Sequence, residues 1–86
     1  MYDYKVEREN VFTEDGQVTF LEIRDKTKEL LEKAGAARLQ EMISTVSGDS
    51  WLMLACVDRL VELGEIKEIT AANVPGQYRV FVRGKH

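Results

Sequence analysis

The chain has 86 residues, 44% of them hydrophobic and 31% charged, with a formal net charge of -3 and a sequence pI of about 5.1. This mixture is that of a soluble globular protein and argues against disorder, while the length allows one domain that buries only roughly 60 to 65% of its unfolded surface. The acidity argues against a dedicated nucleic-acid domain, whose pI commonly exceeds about 9, and a lone cysteine rules out an internal disulfide.

No apolar run approaches the roughly 20 residues of a membrane helix, and the first ten residues are too charged for a signal peptide. A cytoplasmic protein with no membrane contact is the expectation. Residues 1–16 read as an N-terminal arm. Its apolar residues, Tyr2, Tyr4, Val6, Val11 and Phe12, are spaced too irregularly to choose between a strand, a short helix and a clip lying across the core. Asp15-Gly16 before Val18-Thr19-Phe20 fits a hairpin turn, but a helix from about Gln17 fits better. Phe20, Ile23, Thr27, Leu30, Leu31 and Ala34 recur at three- and four-residue steps, Glu22/Lys26 and Glu29/Lys33 form favourable i,i+4 pairs, and Gly35 stops the run.

A second helix is expected over residues 37–46, with Leu39, Met42, Ile43 and Val46 on one side, ended by Ser47-Gly48. Asp49 is placed to cap a third helix over residues 49–63. A short glycine-containing turn between two helices is the pattern of a helix-turn-helix. In the third helix Met53, Leu54, Val57, Leu60 and Val61 share one arc at 100° per residue, the expected core face. Leu52, Cys56 and Leu63 extend the apolar surface, Ala55, Asp58, Arg59 and Glu62 form the remaining face, and Trp51 lies outside the arc. The helix is more apolar than one buried side requires. Either a following hairpin and the arm cover the surplus, or the surplus is a protein-contact surface anchored by Trp51. Cys56, in apolar company, reads as a small buried hydrophobe with an unreactive thiol, or as part of that surface.

Gly64 ends the helix, after which the period changes to two. Strands are expected over residues 65–69 and 78–82, with Tyr78, Val80 and Val82 alternating with Arg79, Phe81 and Arg83. Between them Val74-Pro75-Gly76 reads as a turn, inside a loop of residues 71–77 that carries no charge.

Residues 51–66, in which Leu60, Leu63, Gly64 and Ile66 end the helix and redirect the chain, resemble the third helix and first wing strand of bacterial winged helix proteins. Arg79-Val80-Phe81-Val82 resembles the returning wing strand. The resemblance covers most of the chain after about Gln17. It implies a mainly α fold with a small β-hairpin wing, a three-helix winged helix-turn-helix of residues 17–86 behind the arm of residues 1–16. In DNA-binding members the early exposed residues of the third helix enter the major groove. This chain has Ser50, Trp51 and Ala55 there, with Ser50 and Arg59 as the candidate readers and Asp58 and Glu62 set to repel phosphate. Lys67, Arg79, Arg83 and Lys85 near the wing strands are either backbone contacts or solvated surface charges.

Catalytic chemistry has no foothold in the pattern. The single histidine is His86, no metal, dinucleotide or phosphate-loop motif occurs, and the glycines are spaced as helix stops and turns. No catalytic residue, metal ligand or cofactor is expected. The functional expectation is a winged helix module for protein contact or self-association, as a homodimer or within a regulatory assembly, using Trp51, Leu52 and Cys56. The alternative is a small DNA-binding regulator using Ser50, Arg59, Lys67, Arg79 and Arg83.

Overall fold

The structure, a computed structural model, describes residues 1–46, 48–70 and 78–84. Ser47, the expected Val74-Pro75-Gly76 turn with the rest of residues 71–77, Lys85 and His86 lie outside the described residues. In chain order the elements are α1 (Tyr4–Glu7), a 3-10 turn (Arg8–Phe12), α2 (Glu14–Ala34), β1 (Ala36–Arg38), α3 (Leu39–Ile43), α4 (Ser50–Glu62), β2 (Ile66–Glu68) and β3 (Val80–Arg83). The architecture is mainly helical with one small antiparallel sheet, in which β3 lies between β1 and β2. No helix among the described residues is long and apolar enough to cross a membrane.

α2 begins three residues before the position expected, because Thr13 caps it. The Thr13 hydroxyl accepts from Gly16 N at 3.0 Å, and Glu14 and Asp15 occupy the first turn, where the helix dipole favours negative charge. Asp15-Gly16 is therefore part of a helix and not a hairpin turn. Gly16 is instead a point of close approach: a Cβ there would collide with the carbonyl oxygens of Asn10 and Val11 in the 3-10 turn. The far end is as expected, with Gly35 at φ 76° and its amide on Leu31 O at 2.9 Å.

The helix expected over residues 37–46 is corrected at both ends. Ala36, Ala37 and Arg38 form β1, paired with Val82, Phe81 and Val80 of β3. Only then does α3 begin, with Leu39 N donating to Arg79 O at 2.8 Å. Two alanines and an arginine carry no strand signal; pairing with β3 imposes the conformation. α4 matches its expectation closely. Asp49 Oδ2 accepts from Leu52 N at 3.4 Å, and Gly64 takes φ 77° beyond the C-terminal end. β2 and β3 are shorter or shifted relative to the expected spans, with Tyr78 and Arg79 before β3 and Arg83 inside it.

The core draws on every layer: Val11 from the 3-10 turn, Phe20, Ile23 and Leu31 from α2, Leu39 and Met42 from α3, Ala55, Cys56, Val57 and Leu60 from α4, and Ile66 and Phe81 from the sheet. The buried part of α4 differs from the expected arc. Ala55 and Cys56 are fully buried, whereas Met53, Leu54 and Val61 are only partly so. The reason is that α4 packs against α1 and the 3-10 turn of the arm as well as against α2. The arm is thus a short helical clip that covers part of the surplus apolar surface of α4 and leaves Trp51 and Leu63 exposed.

Gly16→Ala should destabilise the protein by about 2 kcal/mol, since the colliding atoms are backbone and the 3-10 turn must move away. The check is a shift of the denaturant midpoint without a change in slope.

Candidate functional site

The densest polar cluster lies on the outer face of α4, around two carboxylates spaced by one helical turn. Asp58 and Glu62 point toward the arm. Tyr2 donates its hydroxyl to Asp58 Oδ2 at 2.6 Å and Tyr4 donates to Glu62 Oε1 at 2.8 Å. Arg8 Nε lies 3.0 Å from both oxygens of Glu62, and Arg59 Nη1 reaches Glu62 Oε1 at 2.7 Å. The Phe12 ring sits against both guanidinium groups, with Arg8 at 5.1 Å and Arg59 at 5.0 Å from its centroid.

From the other side the sheet contributes Arg79. This residue precedes β3, lies over the Phe81 ring at 5.1 Å, and donates through Nη2 to Asp58 Oδ1 at 2.7 Å and to Glu68 Oε1 at 2.9 Å. Its Nε donates to Glu68 Oε2 at 3.0 Å. The side chains of Arg79 and Asp58 are only 19% and 17% exposed, which separates this pair from the solvated Glu29–Lys33 pair at 55% and 72%. Asp58 therefore joins three parts of the chain: α4 carries it, and the sheet and the arm each donate to one of its oxygens.

The protonation equilibria follow these contacts. Hydrogen bonds from Arg59, then Tyr4 and Arg8, hold Glu62 down at about 2. Burial, then the bond to Glu62, pushes Tyr4 up to about 12, and burial with the bond to Asp58 raises Tyr2 as well. The hydrogen bond from Arg79 lowers Glu68. Burial opposes the charge on Arg79, but its bonds to Glu68 and Asp58 outweigh that effect and raise its pKa.

The residues singled out from sequence fall into three places. Arg59 and Arg79 are engaged with Glu62, Asp58 and Glu68, so neither projects as an unpaired cation. Arg79 in particular is not a solvated surface charge. Lys67 and Arg83 are exposed and make no ion pair among the described residues. In the β2–β3 register Lys67 lies opposite Val82 and Arg83 opposite Ile66, which directs them to opposite faces of the sheet. Ser50, at the far end of α4, is also exposed.

Of the interface candidates, Trp51 is 42% exposed, Leu52 is half-buried, and Cys56 is fully buried with its sulfur 3.9 Å from Gly16 O. Burial pushes the Cys56 thiol up to about 12, which leaves it protonated and unreactive. Leu39, Gln40, Ile43, Ser50 and Leu54 line a largely apolar groove of about 300 Å3 between α3 and α4. Trp51 does not line it, but follows Ser50 directly and precedes Leu54 by three residues on the helix.

Sequence reasoning missed Tyr2, Tyr4, Arg8 and Glu68. The arm residues meet their partners across 54 to 58 positions, beyond the reach of any local pattern. The usable signal was indirect: an overly apolar α4 carrying two carboxylates, and an arm rich in phenols. Comparison of the chain with protein-family models, curated proteins and solved structures finds no match.

Two outcomes are expected. A double-mutant cycle on Asp58→Asn and Arg79→Gln should give a coupling of about 1.5 to 3 kcal/mol, between the values of exposed and fully buried pairs. In acid, Glu62 has a folded-state pKa of about 2, below the roughly 4.3 of a free glutamate. Its ionisation therefore supports the fold above about pH 4.3, and that support is lost as pH falls toward 2. Denaturant midpoints measured across this window should fall, and fall less steeply for Glu62→Gln.

Proposed function

We propose that the chain is a non-enzymatic winged helix module that mediates protein contact or self-association in the cytoplasm, within a regulatory assembly. The order helix, strand, helix, turn, helix and two further strands from α2 to β3 supports the winged helix reading, and the short connection between α3 and α4 supports its helix-turn-helix. Fold does not determine use, so the surface has to decide.

One observation carries the choice of protein over DNA. On α4 the charged groups able to meet a base or a phosphate are bonded within the chain, Arg59 to Glu62, and Asp58 to Arg79 and Tyr2. Of the two candidate readers, only the exposed, uncharged Ser50 is left without an internal partner among the described residues. What α4 leaves outside is Trp51, 42% exposed, which lies in sequence between Ser50 and Leu54, two residues that line the apolar groove between α3 and α4. A large exposed aromatic on a helix that also lines an apolar groove is the composition of a protein interface core, where aromatic anchors dominate the binding energy. A net charge of -3 and cations set on opposite faces of the sheet oppose polyanion binding.

On this reading the parent chain shows a concentration-dependent mass above the monomer in light scattering, and Trp51→Ala remains monomeric. Equal masses for the two would remove self-association and leave a different chain as the partner. Labelled duplex DNA of arbitrary sequence at low salt should show no binding at high micromolar protein. Binding that weakens steeply as salt rises would replace this reading with that of a DNA-binding regulator.

A further inference from the structure

The arm is joined to the rest of the molecule in two different ways along its length. From Val11 onward it is anchored: Val11 is fully buried, its carbonyl accepts from Gln17 Nε2 at 2.6 Å, and Gly16 packs against the adjacent backbone. Before that point the character changes. α1 has no buried residue, and the backbone hydrogen bonds of Val6 and Glu7 go to Asp3 O, within the arm itself. Residues 1–8 meet α4 through three side chains, Tyr2, Tyr4 and Arg8, whose partners are Asp58 and Glu62. Between the two regimes stand Glu9 and Asn10, both exposed.

We propose that residues 1–8 are an exchangeable arm: in a pair of chains each arm seats on α4 of a second copy, with Tyr2 on Asp58 and Tyr4 and Arg8 on Glu62 of that copy. The fit of arm to helix is the one already present within a single chain, so exchange keeps these contacts and requires the first part of the 3-10 turn to open around Glu9 and Asn10, with loss of the bond from Asn10 Nδ2 to Glu7 Oε1. Val6 and Phe12 are 63% and 49% exposed and flank this hinge. They supply apolar area that a single chain leaves in water and that two chains brought together at the hinge would cover. This route to self-association does not involve Trp51 and stands independently of the groove between α3 and α4.

The test is a fluorescein-labelled peptide of residues 1–10, titrated with the full-length chain and followed by anisotropy. In the parent the chain's own arm competes for α4, so the peptide binds weakly. In the Tyr4→Phe/Arg8→Gln double variant, whose own arm is loosened while α4 is unchanged, the peptide should bind at least about 5-fold more tightly, by the usual relation between affinity and the fraction of open sites. Adding Glu62→Gln to that variant should remove the gain. Equal affinity for parent and double variant, no binding to either, or indifference to Glu62→Gln would overturn the proposal. Tyr4 and Arg8 are only partly buried and Glu62 is exposed, and unchanged helical circular dichroism confirms that the variants fold. The peptide assay reads the Asp58 and Glu62 half of α4 and the Trp51→Ala scattering reads the other end, so the two readings fail on separate results.

Discussion

Two carboxylates one turn apart on α4 fix how the arm and the sheet sit against that helix. Asp58 takes a guanidinium from beside β3 and a phenol from the arm, and Glu62 takes a phenol and two guanidinium groups. The pattern matters because hydrophobic burial is non-directional: it explains why Ala55 and Cys56 are covered, but not in what orientation. The fixed geometry of hydrogen bonds to charged oxygens supplies that orientation. Small residues make it sterically feasible. Gly16 admits the 3-10 turn to α2, and Ala55 keeps the adjacent surface of α4 low.

The parts of the fold legible in the sequence were those whose signals are local. The stop at Gly35, the Asp49 cap and the Gly64 turn depend on residues within a few positions of the element they end, and all three stand as expected. β1 was illegible because nothing in Ala36-Ala37-Arg38 favours a strand; its conformation comes from the backbone groups of β3, more than 40 residues later. The same limit hid the cluster on α4. Asp58 and Glu62 were visible as an i,i+4 acidic pair, a disfavoured spacing for like charges. The cations and phenols that relieve it come from both ends of the chain. Arg79 shows the cost of judging a charge by its neighbours in sequence: as one of several cations beside a strand it resembles a solvated surface group, yet it is among the least exposed charged side chains.

The covering of α4 bears on function through what it removes. A helix that reads DNA must present donors and acceptors free of internal partners, because each pairing made within the protein has to be broken before a base edge can replace it. Here the candidate reader Arg59 donates to a carboxylate that also binds Tyr4 and Arg8. Freeing it would leave Glu62 facing the same polyanion. The objections from charge and from internal pairing therefore coincide at one residue, which is why the resemblance to a helix-turn-helix carries less weight for DNA than it would on a bare helix.

The contacts that close this face are also of a kind that can be remade elsewhere. A buried apolar anchor such as Val11 is held by exclusion from water and has no substitute outside the core. The phenol and guanidinium groups resting on Glu62, whose side chain is 36% exposed, exchange protein partners for water or for equivalent groups at little net change, whereas Asp58, 17% exposed, holds its partners more firmly. The division of the arm near Glu9 and Asn10, with an apolar anchor on one side and polar contacts on the other, thus separates a permanent structural element from an adaptable one. A domain of this size gains proportionally more than a large one from any additional burial. Association that covered the adaptable segment together with exposed Val6 and Phe12 would therefore add to the stability of the folded chain.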